Sequence, residues 1–348
     1  MTDTHETILI ASWLEPELAD RIRTAAPDAT VIHEPDLLRP PRYPADHTGR
    51  PVERTDAEEL RWQEHLARAT ILFDFDVTHR DDLPECAPAV RWIQATSAGI
   101  GQFVRRHGYA RRMPDTVFTT ASGVHARPLA EFAALSILAH ARKLLHTLDA
   151  QRRHHWERFA GTDLDGRTVL VIGYGTIGRE VGRFCRTFGM TVLGVKRTVD
   201  GIDPESVHAH ELHPPSALDA LWPRAEAVVL AAPHTDDTVH LLDAEALAAL
   251  PRGAVVVNIG RGALVDEPAM IAALESGHLG GAYLDVFADE PLDPESPLWD
   301  MPGVLVSPHS ASTSDRENER IVDLFCDNLR RWQAGQPLRN VLDVHRLY

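Results

Sequence analysis

Short apolar runs alternate with amphipathic stretches from the start of the chain. Thr7 to Ser12 (TILIAS) reads as a buried strand, Glu15 to Ala25 as a helix and Thr30 to His33 as a second strand, an α/β opening. Residues 39 to 51 carry four prolines and little apolar content, which predicts a surface excursion before the helical pattern of Asp56 to Ala69. Alternation resumes with a strand at Thr70 to Phe75, a helix near Leu83, a strand at Trp92 to Ala95 and a Ser97-Ala98-Gly99 turn. This first unit ends near residue 120.

A long helix is expected from about Arg127 to Trp156. Beyond it, Thr168 to Ile172 is continuously apolar, the pattern of a strand buried on both faces of a parallel sheet. Further strands fall at Thr191 to Val195, Ala227 to Ala231, Ala254 to Ile259, Ala282 to Val286 and Val304 to Ser307, with helical patterns or loops between. Strands alternating with helices imply parallel sheets with right-handed crossovers. The last helix, near Asp315 to Trp332, is amphipathic and returns the chain to the first unit.

Composition narrows the partners. The 348 residues carry a formal charge of −16 with no run of Lys or Arg, so a nucleic-acid backbone or an anionic membrane is repelled. No apolar stretch reaches the roughly 18 residues of a membrane span. The three cysteines, Cys86, Cys185 and Cys326, lack CxxC spacing, which argues against a disulfide framework or a zinc site and for a reducing compartment. No metal is expected, and the cytoplasm is the expected location.

The segment VLVIGYGTIG (Val169 to Gly178) places GxGxxG directly after a buried strand and at the start of a helix. Gly173 permits a tight turn, Gly175 lets a pyrophosphate approach the backbone, and Gly178 lets the helix lie against the strand. The helix N-terminus then faces the phosphates. A dinucleotide is the expected ligand. After the next strand, where a carboxylate would bind the adenosine ribose of NAD, the chain reads Lys196-Arg197. Lys143 and Lys196 are the only lysines in the chain. Two cations at that place favour a 2′-phosphate, so NADP(H) is favoured, with NAD(H) remaining open.

In open α/β sheets ligands bind beyond the carboxyl ends of the strands. Three residues so placed form a coherent chemical set: Arg261, Glu290 and His309. A planar guanidinium can grip a carboxylate and polarise the adjacent carbonyl. Imidazole titrates near neutrality and can deliver a proton, and a carboxylate can orient the ring and favour imidazolium. Each residue taken singly also fits an ordinary surface role.

Five segments in order, VLVIGYGTIGRE, AAPHTDDTVHLL, VVNIGRGALVDEPAMIAAL, GAYLDVFADEPL and VLVSPHSAS, resemble the D-isomer-specific 2-hydroxyacid dehydrogenase family over most of the chain. The resemblance implies two Rossmann-like α/β domains with parallel sheets and an active site in the interdomain cleft. It assigns residues 1–120 with 312–348 to substrate binding and residues 121–311 to the dinucleotide. It implies that Arg261, Glu290 and His309 are catalytic and that Ser97, Ala98 and Gly99 offer backbone amides to the substrate carboxylate. It adds Pro233, His234, Thr235, Ile259 and Asp285 to a cofactor-binding set of Gly173, Tyr174, Gly175, Thr176, Ile177, Gly178, Lys196 and Arg197. The activity implied is interconversion of a small 2-oxo acid and the (R)-2-hydroxy acid, as in glyoxylate/hydroxypyruvate reductases, by a homodimer.

Two alternatives stay open on the same fold. One is a dinucleotide-sensing, corepressor-like interaction protein. The other is a formate or phosphite dehydrogenase, against the first of which Glu290 counts, since formate dehydrogenases carry glutamine at the matching place. The chain is unusual in having Asp74 and Asp76 where relatives approach the substrate. Pointing inward, those carboxylates would repel an anion or recognise a hydroxyl or amino group.

Overall fold

In the computed structural model, which describes residues 5–347, the chain forms two compact units. One comprises the described residues up to His125 together with those from Thr313 onward, and the other spans Ala126–Ser312.

The first unit holds a five-stranded sheet of β1 (Thr7–Ile10), β2 (Thr30–Ile32), β3 (Ile71–Phe73), β4 (Trp92–Gln94) and β5 (Val117–Thr119), in the order β2-β1-β3-β4-β5 and parallel throughout. Successive side chains face opposite ways. Leu9, Leu72 and Ile93 therefore enter one apolar layer with Trp62, while Ile8, Ile10, Phe73 and Trp92 enter the other with Phe325. Phe325 lies on the helix Glu317–Gln333, whose Ile321, Val322 and Leu329 are also buried in that layer. The helix Asp56–Arg68 opens with a capping box, in which Thr55 and Glu58 each accept the other's backbone N–H.

The second unit holds a seven-stranded parallel sheet of β6 (Thr168–Ile172), β7 (Thr191–Val195), β8 (Glu211–His213), β9 (Ala227–Leu230), β10 (Ala254–Asn258), β11 (Leu279–Leu284) and β12 (Val304–Val306). Its order, β12-β11-β10-β9-β6-β7-β8, runs outward in both directions from the β6/β9 pair. That pair is the topological switch point, where the carboxyl ends of the strands leave a crevice. Helices Ala126–Ala141 and Thr176–Thr187 share one buried layer with Val169 and Val171, while Leu170 and Ile172 enter the layer on the opposite face, so β6 is apolar on both faces.

Three local features depart from the sequence pattern. The expected long helix is two helices, Ala126–Ala141 and Leu144–Arg152, separated where Lys143 takes a left-handed φ of 53°. The strand expected to reach Phe75 stops at Phe73, because Asp74 turns to φ 70°. Strands β5 and β8 were not expected; each is a three-residue strand at the edge of its sheet. Among the described residues no helix is long and apolar enough to cross a membrane.

Candidate active site

The glycine turn lies between β6 and the helix Thr176–Thr187, at the switch point. Gly173 has φ +93°, and a Cβ there would stand 2.5 Å from the Ala231–Ala232 backbone, so only glycine lets the turn pass the end of β9. A Cβ on Gly178 would reach to 2.6 Å from the Gly173 carbonyl oxygen, which brings the helix hard against the turn. Over Gly175, by contrast, a Cβ would meet nothing within 4 Å. Gly175 is also the N-cap and supplies no side-chain acceptor, so the first amides of the helix open onto free space beside exposed Thr176. This cradle fits an anionic phosphate group.

Ile177 is partly buried beside the turn. Tyr174 points the other way: its ring is fully buried, packed where Gly182 and Gly194 leave room. Only its backbone lies along the turn. Lys196 and Arg197 follow β7 directly, Lys196 partly buried and Arg197 exposed. Pro233, His234 and Thr235 follow β9, with Thr238 Oγ1 donating to the Pro233 carbonyl at 2.8 Å and accepting from the Thr235 amide at 2.8 Å. Ile259 is buried at the end of β10.

Arg261, Glu290 and His309 lie in the loops that follow β10, β11 and β12, three adjacent strands. His309 Nδ1 donates to Glu290 Oε2 at 2.8 Å, and the other carboxylate oxygen, Oε1, accepts the Phe287 amide at 3.1 Å. With Nδ1 committed, Nε2 is the ring atom left for another partner. The bond to Glu290 raises the pKa of His309, against burial and the nearby Arg261 charge, which lower it. For Glu290, burial works upward, but the His309 bond and charge, the Phe287 amide and Arg261 outweigh it, and the net shift is downward. Burial lowers Arg261 while the Glu290 charge opposes that.

Comparison with known proteins decides what this set belongs to. Residues 134–311 match the family described as D-isomer specific 2-hydroxyacid dehydrogenase, NAD binding domain. A glyoxylate reductase of Thermococcus gammatolerans is 33% identical over 264 residues, covering 72% of this chain and 75% of that protein. The chain belongs to the D-isomer specific 2-hydroxyacid dehydrogenases. It is thus an oxidoreductase that uses NAD(P) and acts on the CH–OH group of 2-hydroxy acids. Among solved structures, a family member from Xanthobacter autotrophicus, in complex with NADPH and MES, matches with a TM-score of 0.77 at 29% identity over 99% of both chains. An NADPH-dependent glyoxylate/hydroxypyruvate reductase from Sinorhizobium meliloti, holding NADP and sulfate, matches with a TM-score of 0.77 at 25% identity over 99% of this chain and 100% of that one.

Around its three polar groups the dehydrogenase has supports that sequence reasoning missed or underread. Asn258, buried at the last position of β10, donates from Nδ2 to the Arg261 carbonyl at 3.0 Å and accepts the Gly260 amide at 3.1 Å, fixing the turn that carries Arg261. Its signal was a lone amide closing an otherwise apolar strand. Asp285, also buried, uses Oδ1 to accept from Ser307 Oγ at 2.5 Å, the Ser310 amide at 2.8 Å and the Ala311 amide at 2.9 Å. Those donors flank His309, whose φ of 53° is uncommon for a residue with a Cβ. Burial raises the pKa of Asp285 against these three bonds and the His309 charge.

In the first unit, Ser97, Ala98 and Gly99 form an exposed turn beyond β4, with the Gly99 amide donating to Ser97 Oγ at 3.3 Å. Both unusual carboxylates are buried and occupied. Asp74 Oδ2 accepts from Thr96 Oγ1 at 2.9 Å, immediately before that turn. Asp76 accepts from Trp62 Nε1 at 2.8 Å on one oxygen and from Thr78, amide and hydroxyl, on the other. The Pro-rich excursion is ordered around buried Asp46, which pairs with Arg42 at 2.7 Å and accepts the Thr48 and Gly49 amides.

Proposed function

We propose that this dehydrogenase reduces a small 2-oxo acid of the glyoxylate/hydroxypyruvate type to the (R)-2-hydroxy acid and prefers NADP(H). The observation that carries the reaction is the 2.8 Å pairing of His309 with Glu290 beside Arg261, all beyond the carboxyl ends of adjacent strands. Arg261 grips the substrate carboxylate and polarises the 2-oxo group through its planar fork. His309, held as imidazolium by Glu290, donates its Nε2 proton to the carbonyl oxygen as negative charge develops there. Bound reduced nicotinamide supplies the hydride. Asn258 and Asp285 position Arg261 and His309.

Preference for NADP(H) is supported by Lys196 and Arg197 following β7 with no carboxylate between them and the strand. The relatives solved with NADPH or NADP support the same choice. A panel of small 2-oxo acids assayed with NADPH and with NADH tests reaction and cofactor together. Turnover of glyoxylate or hydroxypyruvate, faster with NADPH, is expected. Dinucleotide binding without turnover on any panel member would favour a sensing protein instead.

We infer further that two copies pair through the helical segment after residue 126. The helix Leu144–Arg152 buries none of its residues, and Leu135, Leu144, Leu148, Phe159 and Trp156 are exposed, the last at 94%. Exposed apolar side chains gathered within residues 135–159 fit a protein contact.

A further inference from the structure

Between β3 and the helical turn Leu83–Cys86 the first unit gathers three side chains of different chemistry: His79, Asp82 and Cys86. His79 Nδ1 is 3.2 Å from Asp82 Oδ2, Cys86 Sγ is 3.7 Å from His79 Nδ1, and Sγ is 3.4 Å from Asp82 Oδ2. Zinc bonds of about 2.0–2.1 Å to nitrogen and oxygen and about 2.3 Å to sulfur, set at the tetrahedral angle, give edges of about 3.3 Å for N to O and about 3.6 Å for pairs with sulfur. All three separations lie within about 0.2 Å of those edges.

The surroundings point the same way. His79 Nε2 lies 2.7 Å from Glu59 Oε1, and Glu59 is itself held by Arg54 at 3.1 Å and Gln63 at 3.1 Å. A histidine that donates its far nitrogen to a carboxylate turns its near lone pair to a metal, which is the usual outer arrangement of a zinc ligand. Here that near nitrogen faces another acceptor, the Asp82 carboxylate, and a proton on the ring or a cation in its place joins the two. Asp82 is also the N-cap of its helical turn yet makes no capping bond, because its carboxylate is spent on His79 and Cys86. With Asp82 side chain 55% exposed, the fourth tetrahedral direction has a path to solvent.

We propose that His79 Nδ1, Asp82 Oδ2 and Cys86 Sγ form a binding site for a late first-row divalent cation, Zn2+ in the first place, with water as fourth ligand and Glu59 as the outer carboxylate. Imidazole and thiolate select Zn2+ over Mg2+ or Ca2+. Carboxylate and thiolate together neutralise its charge. The ion fastens the segment after β3 to the helix Asp56–Arg68 through Glu59, so it acts as a clip in this unit.

The test uses the full untagged chain, reduced, stripped with a chelator and desalted. Titration with Co2+ should give a thiolate-to-cobalt charge-transfer band in the near ultraviolet and intense tetrahedral d–d bands, saturating at one ion per chain. Zn2+ should displace the Co2+ and raise the thermal midpoint of the stripped protein. Cys86→Ser should abolish the charge-transfer band, and Glu59→Gln, which leaves all three ligands in place, should weaken Zn2+ binding about 10- to 100-fold. Absence of the cobalt–thiolate band in the wild-type chain overturns the proposal, as does Zn2+ binding that is unchanged in both Cys86→Ser and His79→Ala. None of these readouts depends on turnover, so the proposed reaction stands or falls separately.

Discussion

Glu290 accepts the Nδ1 proton of His309 at 2.8 Å and in doing so raises the pKa of the imidazole, although the ring stands on a separate loop after a separate strand. The group that gives up a proton during reduction is the charged form. Reductive kcat/KM should therefore be flat at low pH and fall as pH rises through the raised value. Glu290→Gln removes the main cause of the rise, so the falling limb should move to lower pH. His309→Ala should lower kcat by about 10²- to 10⁴-fold with dinucleotide affinity little changed. Steady-state pH profiles check both, and an unmoved limb in Glu290→Gln would separate the two residues.

Arg261 is partly buried, with its carbonyl held by Asn258, and burial already works against its charge. Arg261→Ala should lose about 10²- to 10³-fold in kcat/KM for the 2-oxo acid. Arg261→Lys should recover only part of this, because an ammonium lacks the planar fork and sheds its charge more readily when buried. Its residual activity should also decline at alkaline pH where that of the parent arginine does not. Rate measurements on the two variants from neutral to alkaline pH decide the point.

Cofactor choice is expected to reside in Lys196 and Arg197. Replacing both with alanine should lower kcat/KM with NADPH by about tenfold or more, in line with the loss of charge-assisted hydrogen bonds, and leave the value with NADH nearly unchanged. Equal losses with both cofactors would show that these cations do not read the 2′-phosphate.

The exposed apolar segment gives an assembly prediction. Light scattering should report a dimer for the parent chain, and Leu148→Glu with Trp156→Glu should yield monomers at micromolar concentration, since two charges cannot be desolvated in an apolar contact. A dimer that survives both changes would place the interface elsewhere.

What the sequence disclosed follows from how local each signal is. β6 and β7 were expected at the residues they occupy, because strands buried on both faces are uninterrupted apolar runs. Arg261 and Glu290 stood out because each comes after a buried apolar strand, and His309 because it follows the short apolar run of the edge strand β12. The break at Lys143 was invisible, since apolar helical pattern continues on both sides and a left-handed lysine leaves no mark in composition. The hold of Asp285 on the His309 turn runs largely through backbone amides, which carry no residue-specific signature. His79, Asp82 and Cys86 are individually ordinary, and only the turn of the loop makes them neighbours.

Trp92, on β4 of the first unit, stacks on Phe325 at 5.0 Å and Trp332 at 5.8 Å, both from the helix Glu317–Gln333. Phe73 meets the same Phe325 edge-on at 5.3 Å. On this face of the sheet Leu14, Leu18 and Ile22 from early in the chain supply part of the cover, and Ile321, Phe325 and Leu329 of that helix supply the rest, whereas all the strands of Ala126–Ser312 come from one continuous stretch. The layer begun by the first strands is therefore closed only by residues synthesised after the whole of the second unit.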